Sequence, residues 1–188
     1  PPAIAIDQTN PVRTSRSTVG TMTELNDHLK LLFARAGTLH CRCCGRAVRR
    51  DTVASVRAAL AQRAPAAGDP RLVVSFPVEV PANYGEDEVR AHLEAQGYAR
   101  VQSTEPAAAG RAGRVLHVVQ DRFRLGGVED SRVSDAIENA MNRGHGRLSV
   151  HVLGDDGEET ARWRFSTGLH CADCDLAYAD PLPSLFSF

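Results

Sequence analysis

The stretches Cys41-Arg42-Cys43-Cys44-Gly45 and Cys171-Ala172-Asp173-Cys174 decide how this chain is organised. Each stretch contains a C-x-x-C pair, in which the second cysteine follows the first by three positions. This spacing lets one tight turn present both sulfurs to a tetrahedral zinc ion. Because the two pairs lie far apart in the sequence, they predict an inserted segment whose two ends meet, at its base, where a metal ion holds them together.

Structural zinc is one of three interpretations of these pairs, beside buried free thiols and a redox dithiol. Two pairs among only five cysteines favour zinc. A redox dithiol is disfavoured because neither pair opens a helix after a strand, where a thioredoxin-like motif lies. Cys43 is left over and is not expected to be a ligand. His40 and His170 each precede a pair and are either substitute ligands or ordinary solvated or packed histidines.

The overall composition fits one ordinary core, or one domain with pieces of another, in 188 residues of which 43% are hydrophobic. The net charge of −1 does not by itself indicate a nucleic-acid-binding protein. No apolar run is long enough to span a bilayer, and no signal peptide is visible. An odd number of cysteines in C-x-x-C spacing predicts a reducing, cytoplasmic location without membrane attachment. The two ends of the sequence predict a piece of a longer chain.

Hydrophobic periodicity predicts the local elements. A capping-box spacing of Thr21 and Glu24 predicts a helix start. The helix that follows carries an apolar stripe formed by Leu25, Leu29, Leu32 and Phe33.

Further along, Asp51 is the predicted N-cap of a second helix. Pro77, within a strand over 72–80, predicts an edge strand or a bulge. The strongest strand covers 115–125, a helix follows over 133–141, and the alternating stretches 148–152 and 161–165 form a hairpin. These elements predict an α+β fold, a mixed and largely antiparallel sheet with packed helices and zinc-knuckle segments at its base.

Catalytic motifs are not visible. The chain has no Walker A glycine-rich loop, no paired catalytic carboxylates and no Ser/His/Asp arrangement that spacing supports. Residues 7–21 are dense in hydroxyls, amides and arginines, which suit either phosphate contacts or a solvated loop. We therefore predict no enzymatic activity for this chain alone.

Six segments together closely resemble the UvrA family of bacterial excision-repair ATPases. They are residues 2–8, 16–24, 29–35, 118–123, 171–174 and 185–188. A chance match of the 16–24 run together with the terminal Leu-Phe-Ser-Phe is implausible.

The resemblance implies a segment of an ABC-type ATPase that dimerises, scans double-stranded DNA for damage and binds the partner UvrB. Residues 1–36 would be part of the first ATP-binding region, and 37–50 a first cysteine knuckle and linker. Residues 51–166 would be the UvrB-binding α/β insertion, and 167–188 the first half of a four-cysteine zinc finger. Zinc is then the cofactor of this chain, while ATP and magnesium belong to the full-length parent, whose Walker and signature segments are not in this sequence.

The resemblance also assigns individual residues. Gln8 matches the Q-loop glutamine that senses the γ-phosphate and magnesium. Cys171 and Cys174 match the family's zinc finger. Apart from the resemblance, the composition of the polar loop makes Arg13 and Arg16 the candidates for DNA contact.

A partner surface is predicted at the end of the strongest strand. Phe123 is expected to pack inward, so that Arg122 and Arg124 share the opposite face beside Asp121. These arginines either meet a carboxylate of UvrB or pair within the domain, with Glu129, Asp130 or Glu158.

The predicted function is recognition of UvrB in nucleotide excision repair. The alternative is a free-standing zinc-ribbon domain that binds nucleic acid directly, because a basic loop beside a zinc knuckle looks similar. Salt-dependent DNA affinity would discriminate between the two.

Overall fold

A computed structural model of the chain describes residues 18–107, 113–171, 173–174 and 176–186, with backbone only at 21 and 22. The chain divides into two compact units, Pro1–Leu39 with Ala179–Phe188, and His40–Tyr178. The helices are α1 Val19–Met22, α2 Leu25–Ala36, α3 Val53–Ala66, α4 Glu86–Ala95 and α5 Asp130–Arg143. The strands are β1 Arg71–Pro81, β2 Val101–Pro106, β3 Gly113–Phe123, β4 Arg147–Leu153, β5 Glu159–Ser166, β6 His170–Cys171 and β7 Leu176–Ala177. Short 3-10 turns lie at Leu125–Gly127 and Pro183–Phe186.

The first unit contains the apolar helix α2, but its predicted start was wrong. The hydroxyl of Thr23 donates to the Val19 carbonyl at 2.8 Å, which closes α1 as a separate turn. Glu24 then takes a left-handed conformation, with φ of 59°, and its side chain makes no cap. The helix therefore restarts at Leu25 instead of running on from Thr21. Its apolar stripe is exposed in the described residues, apart from a stacking contact of Phe33 with Phe186, whose ring centroids lie 5.9 Å apart.

The second unit is built on a five-stranded sheet in the order β2-β3-β1-β4-β5, and every neighbouring pair is antiparallel. The predicted α+β class is thereby confirmed. Helices α3 and α5 cover one face, where buried aliphatic side chains from both layers interlock. The centre of this core is formed by Val56, Leu60, Leu72, Val74, Leu116, Val118, Ile137, Ala140, Leu148 and Val150. Burial of this apolar surface is the main force that holds the helices on the sheet.

Asp51 has a different role from the predicted helix cap. The N-cap of α3 is Thr52, which forms a reciprocal capping box with Ser55. The Asp51 carboxylate instead accepts the backbone N–H of Ser166 at 3.0 Å, and its own N–H donates to the Ser166 carbonyl at 2.7 Å. These two bonds join the start of α3 to the end of β5.

Pro77 lies in the central strand of the sheet, not in an edge strand. The predicted bulge is present nearby, at Val74/Ser75. Pairing of β1 with β4 ends at Ser75, so at Pro77 the strand has a neighbour on one side only, β3. One-sided pairing explains why a residue without an N–H is tolerated in a central strand.

The face of the sheet opposite the helices carries a polar cluster, which sequence reasoning missed. His117 and His151 are buried there, with ring centroids 5.5 Å apart. His151 is bonded on both sides, to Glu159 Oε2 and to Ser75 Oγ, each at 2.7 Å. His117 Nε2 lies 3.4 Å from Glu105 Oε2.

Arg162 connects the two outer strands across this cluster. From β5 its guanidinium forms an ion pair with Glu105 of β2, and it donates to Ser103 Oγ of β2 at 3.2 Å. Its Nε also donates to Glu159 Oε1 at 2.8 Å. Because β2 and β5 are the opposite ends of the strand order, these contacts hold the sheet in a curled shape.

Burial sets the charge state of the two histidines. It lowers the pKa of His117 from 6.5 to about 4 and also lowers the pKa of His151. For Glu105 and Glu159 burial, the largest single effect, raises the pKa, but hydrogen bonds from Arg162 and the nearby positive charge together outweigh it, so the pKa of both carboxyl groups is lowered. At neutral pH the cluster therefore holds two neutral imidazoles and two carboxylates around one guanidinium.

Acid should destabilise this unit as the pH falls below about 6.5. Between pH 6.5 and about 4 the unfolded chain protonates residue 117 while the folded chain does not, so stability falls as the pH is lowered through this window. Across this window the free energy of unfolding should fall by up to about 3 kcal/mol less in the His117→Asn variant than in the parent chain. Urea unfolding followed by Trp163 fluorescence measures this difference.

The matched control is His92→Asn, because His92 is exposed on α4. It should keep the pH profile of the parent chain. Superimposable profiles for the parent and His117→Asn would contradict the assignment.

Candidate metal centre

The two C-x-x-C pairs come together in the second unit. The Sγ atoms of Cys41, Cys44, Cys171 and Cys174 all lie within 4.8 Å of one another. The sulfurs of Cys44 and Cys171, 127 residues apart in sequence, are separated by 3.6 Å. Ligands of a tetrahedral zinc ion with Zn–S bonds of about 2.3 Å would be roughly 3.8 Å apart. The four sulfurs thus have nearly the spacing that the ion requires.

The first knuckle is a tight hydrogen-bonded turn. Cys41 N–H donates to the Arg46 carbonyl at 2.8 Å, and Gly45 N–H donates to the Cys41 carbonyl at 2.8 Å. Gly45 has φ of 71°, a left-handed conformation that glycine adopts without steric cost. The turn brings Cys41 and Cys44 to the same side.

The second knuckle is a short hairpin. Strands β6 and β7 pair through His170↔Ala177 and Cys171↔Leu176, with Cys174 in the turn between them. An ion pair of 2.6 Å from Arg46 to Asp173 connects this turn to the first knuckle. Cys41 and Cys171 are buried, whereas Cys44 is exposed and Cys174 is intermediate.

Tyr178 is the second-layer residue that sequence reasoning missed. Its hydroxyl donates to Cys41 Sγ at 3.3 Å and accepts the backbone N–H of Arg42 at 3.0 Å. The bond from Tyr178 lowers the pKa of Cys41 to about 6. Burial raises the pKa of Cys171, and a hydrogen bond with Cys43 raises that of Cys174. Cys41 is therefore the thiol best prepared to act as a thiolate ligand.

The residues fit a structural zinc ion. All four donors are sulfur, the donor set that closed structural zinc sites favour, and one sulfur already has a hydrogen-bonded second layer. The histidines and Cys43 are not in the four-sulfur set, and His40 Nδ1 instead lies 3.0 Å from the Gly45 carbonyl oxygen. Zinc bound here would join the two ends of the unit and supply folding energy.

The remaining predicted site residues are not gathered at this centre. Gln8, Arg13 and Arg16 lie outside the described residues. Phe123 is buried as predicted, while Arg122 and Arg124 are exposed.

The two arginines and Asp121 have partners other than the three acids named from sequence. Arg124 donates to the Asp69 carbonyl at 2.9 Å and to Asp155 Oδ1 at 3.2 Å. Asp121 accepts two bonds from Arg132, at 2.8 and 2.9 Å. Arg122 Nη2 is 3.5 Å from Gln102 Oε1.

Comparison with known proteins gives relatives that align with the whole chain. No protein-family model matches the chain. Curated proteins named UvrABC system protein A align with all of it: the protein of Mycobacterium leprae is 36% identical over 200 residues, that of Thermus thermophilus 34% over 198, and that of Deinococcus radiodurans 33% over 200. The chain spans about one fifth of the length of these relatives, 20, 20 and 19% respectively. No described helix is long and apolar enough to cross a membrane.

By name, these relatives are components of the UvrABC system. The whole chain thus aligns with one segment of UvrABC system protein A, and the resemblance drawn from the sequence is confirmed.

Metal analysis of the purified chain is expected to find about one zinc ion per molecule. The Cys44→Ser and Cys171→Ser variants should lose it, because each removes one of four ligands. Cys43→Ser is the matched control and should retain the metal. A well-folded, metal-free preparation whose five thiols all react freely would contradict the zinc assignment.

The hydrogen bond from Tyr178 should strengthen metal binding. Tyr178→Phe removes the donor and keeps the ring, so the apparent zinc affinity should fall about 10–100-fold, the usual cost of losing a second-layer partner. Competition with a chromophoric chelator measures the change. Tyr84→Phe, at an exposed position, is the control. Equal zinc affinities in both variants would remove Tyr178 from the centre.

Proposed function

We propose that this chain is the UvrB-binding module of a UvrA-like repair protein. The observation that carries the proposal is homology along the whole chain to UvrABC system protein A. The compact α+β unit closed at its base by four cysteines supports it, because such a unit can present a surface away from its attachment point. The segments 1–36, 37–50, 51–166 and 167–188 keep their proposed roles. The rest of the parent supplies ATP and magnesium binding, dimerisation and contact with damaged DNA.

In this proposal the unit acts by holding UvrB in a fixed position. Cys41, Cys44, Cys171 and Cys174 would hold a zinc ion that joins both ends of the unit. The two Asp51–Ser166 hydrogen bonds align the start of α3 with the end of β5. The orientation of the sheet is then determined by its base. A UvrB molecule docked on this unit would be held at a defined position for loading onto DNA.

The proposed docking surface lies at the end of β3. A hollow of about 310 Å³ is lined by the turn after α4 and by the last residues of β3, including Tyr98, Arg100, Gln120 and Arg122. Arg100 and Arg122 are both exposed at this hollow. Two guanidinium groups beside a concave surface suit a carboxylate of the partner, which can accept paired hydrogen bonds.

Asp121 and Arg124 have supporting roles in this proposal. Arg132 binds Asp121 through two hydrogen bonds, and the Asp121 carboxylate also accepts the backbone N–H of Arg122 at 2.7 Å. Asp121 thereby orients the chain at Arg122. Arg124 helps to fix the loop at Asp69, so Arg122 is the residue of the three best placed to contact UvrB directly.

Three further residues of this chain have proposed roles that depend on the full-length parent. Gln8 would sense the γ-phosphate and magnesium, while Arg13 and Arg16 would contact DNA. The chain alone would not hydrolyse ATP. We place the parent protein in the cytoplasm.

Reversing the charge of Arg122 should weaken UvrB binding. Arg122→Glu removes a charge-assisted donor and adds a like charge, so binding should weaken by about 1–3 kcal/mol. Calorimetric titration with purified UvrB measures the affinity, and thermal unfolding should be nearly unchanged. Arg124→Glu should lower stability as well as affinity, because it breaks the contacts to Asp69 and Asp155.

Arg57→Glu is the matched control. Arg57 is exposed on α3 and donates to Ser134 Oγ at 3.3 Å, away from the hollow. It should leave UvrB affinity unchanged. If Arg122→Glu binds UvrB as tightly as the parent chain does, the docking surface is elsewhere.

A further inference from the structure

A basic groove runs beside the metal centre in the second unit. It has a volume of about 610 Å³ and lies between α3, the loop before α3, and the segment that leads into the second knuckle. Five arginines line it against two aspartates. They are Arg46, Arg49, Arg50, Arg63 and Arg164, with Asp51 and Asp173.

The groove exists because the facing side chains are short. Ser55, Ala58, Ala59 and Gln62 recur on one side of α3 at helical spacing, and Ala47 faces them from the preceding loop. Short side chains leave a trough, and five arginines line it. The arginines therefore place positive charge beside a ligand that lies in the trough.

The two aspartates are already engaged. The Asp51 carboxylate accepts the Ser166 N–H at 3.0 Å, and Asp173 binds Arg46 at 2.6 Å. Within the described ranges, Arg49 and Arg63 form no ion pair with a carboxylate, and Arg63 lies over the rings of Trp163 and Phe165, at 5.6 and 5.8 Å from their centroids. Arg46 is offset by Asp173, and Arg164 forms an ion pair with Glu105 at 3.4 Å. The remaining lining charges, three arginines against Asp51, leave the groove net positive at neutral pH.

From this groove we infer a contact site for the phosphate backbone of double-stranded nucleic acid, located on the inserted unit itself. This site goes beyond UvrB recognition and does not involve Arg13 or Arg16. Arginines along an open trough match a row of phosphates, and binding of this kind depends on charge and not on base sequence.

An acidic protein partner fits the groove less well. Stable protein interfaces depend on a few large buried anchors, commonly aromatic or aliphatic side chains. None of the large exposed hydrophobic residues of the described chain lines the groove. Phosphate binding needs no such anchor.

The test uses the whole chain and a fluorescently labelled DNA duplex of about 20 base pairs, with anisotropy recorded over a series of salt concentrations. The variant is Arg49→Gln combined with Arg63→Gln, which keeps the side-chain stems, including the stem over Trp163. Each phosphate contact contributes about 0.9 to the slope of log K against log salt. The double variant should therefore lose about two units of slope and at least about tenfold in affinity at low salt.

Arg57→Gln is the matched control, because it removes one positive charge from the same helix outside the groove. It should bind DNA as the parent chain does. Circular dichroism and thermal unfolding should show all variants folded.

Three results would overturn the inference: no salt-dependent binding by the parent chain, equal slopes for the double variant and Arg57→Gln, or displacement of the duplex by polyglutamate at equal charge concentration. UvrB titrations separate this site from the proposed function. The groove variant should keep UvrB affinity, and Arg122→Glu should keep DNA affinity, so either site can fail without the other.

Discussion

The approach of Cys41 and Cys44 to Cys171 and Cys174 is the contact on which the second unit depends. It closes a loop in which Cys44 and Cys171 are 127 residues apart, with their sulfurs at 3.6 Å. A crosslink that closes a loop of this length removes roughly 5 kcal/mol of chain entropy from the unfolded state. A zinc ion here would therefore stabilise the unit mainly by holding its ends together, while the helices and the sheet supply the apolar core.

The ends are aligned by weaker polar contacts around the cysteines. Arg46 binds Asp173 between the knuckles, Tyr178 reaches back to Cys41, and Asp51 binds the backbone at Ser166. Single surface contacts of this kind contribute little to stability. Together they fix the angle at which the sheet leaves its base. This angle matters for a unit whose proposed work is to hold one protein in position.

The face of the sheet opposite the helices carries buried polar and charged groups. Two neutral histidines and two carboxylates surround Arg162, which bridges the outermost strands. Buried charges of this kind are retained only where they are paired and hydrogen-bonded, and losing one partner is costly. The cluster holds the sheet in a curled shape because it joins the outermost strands. The hollow at the end of β3 and the groove beside α3 share no lining residue, so the proposed protein and nucleic-acid contacts are separate sites.

The sequence by itself determined the α+β class, most helices and strands and the cysteine pairs, because periodicity and spacing are local properties. The resemblance to UvrA came from matching sequence segments. It predicted wrongly where local signals compete. Glu24 interrupts the first helix, Thr52 takes the cap expected of Asp51, and Pro77 is accepted in a central strand because β4 ends before it. Only the tertiary structure decided that the two cysteine pairs form one set, that Tyr178 supports Cys41, and that Arg162 bridges β5 to β2. These contacts join residues that are far apart along the chain, and chain folding, not spacing, sets which distant residues meet.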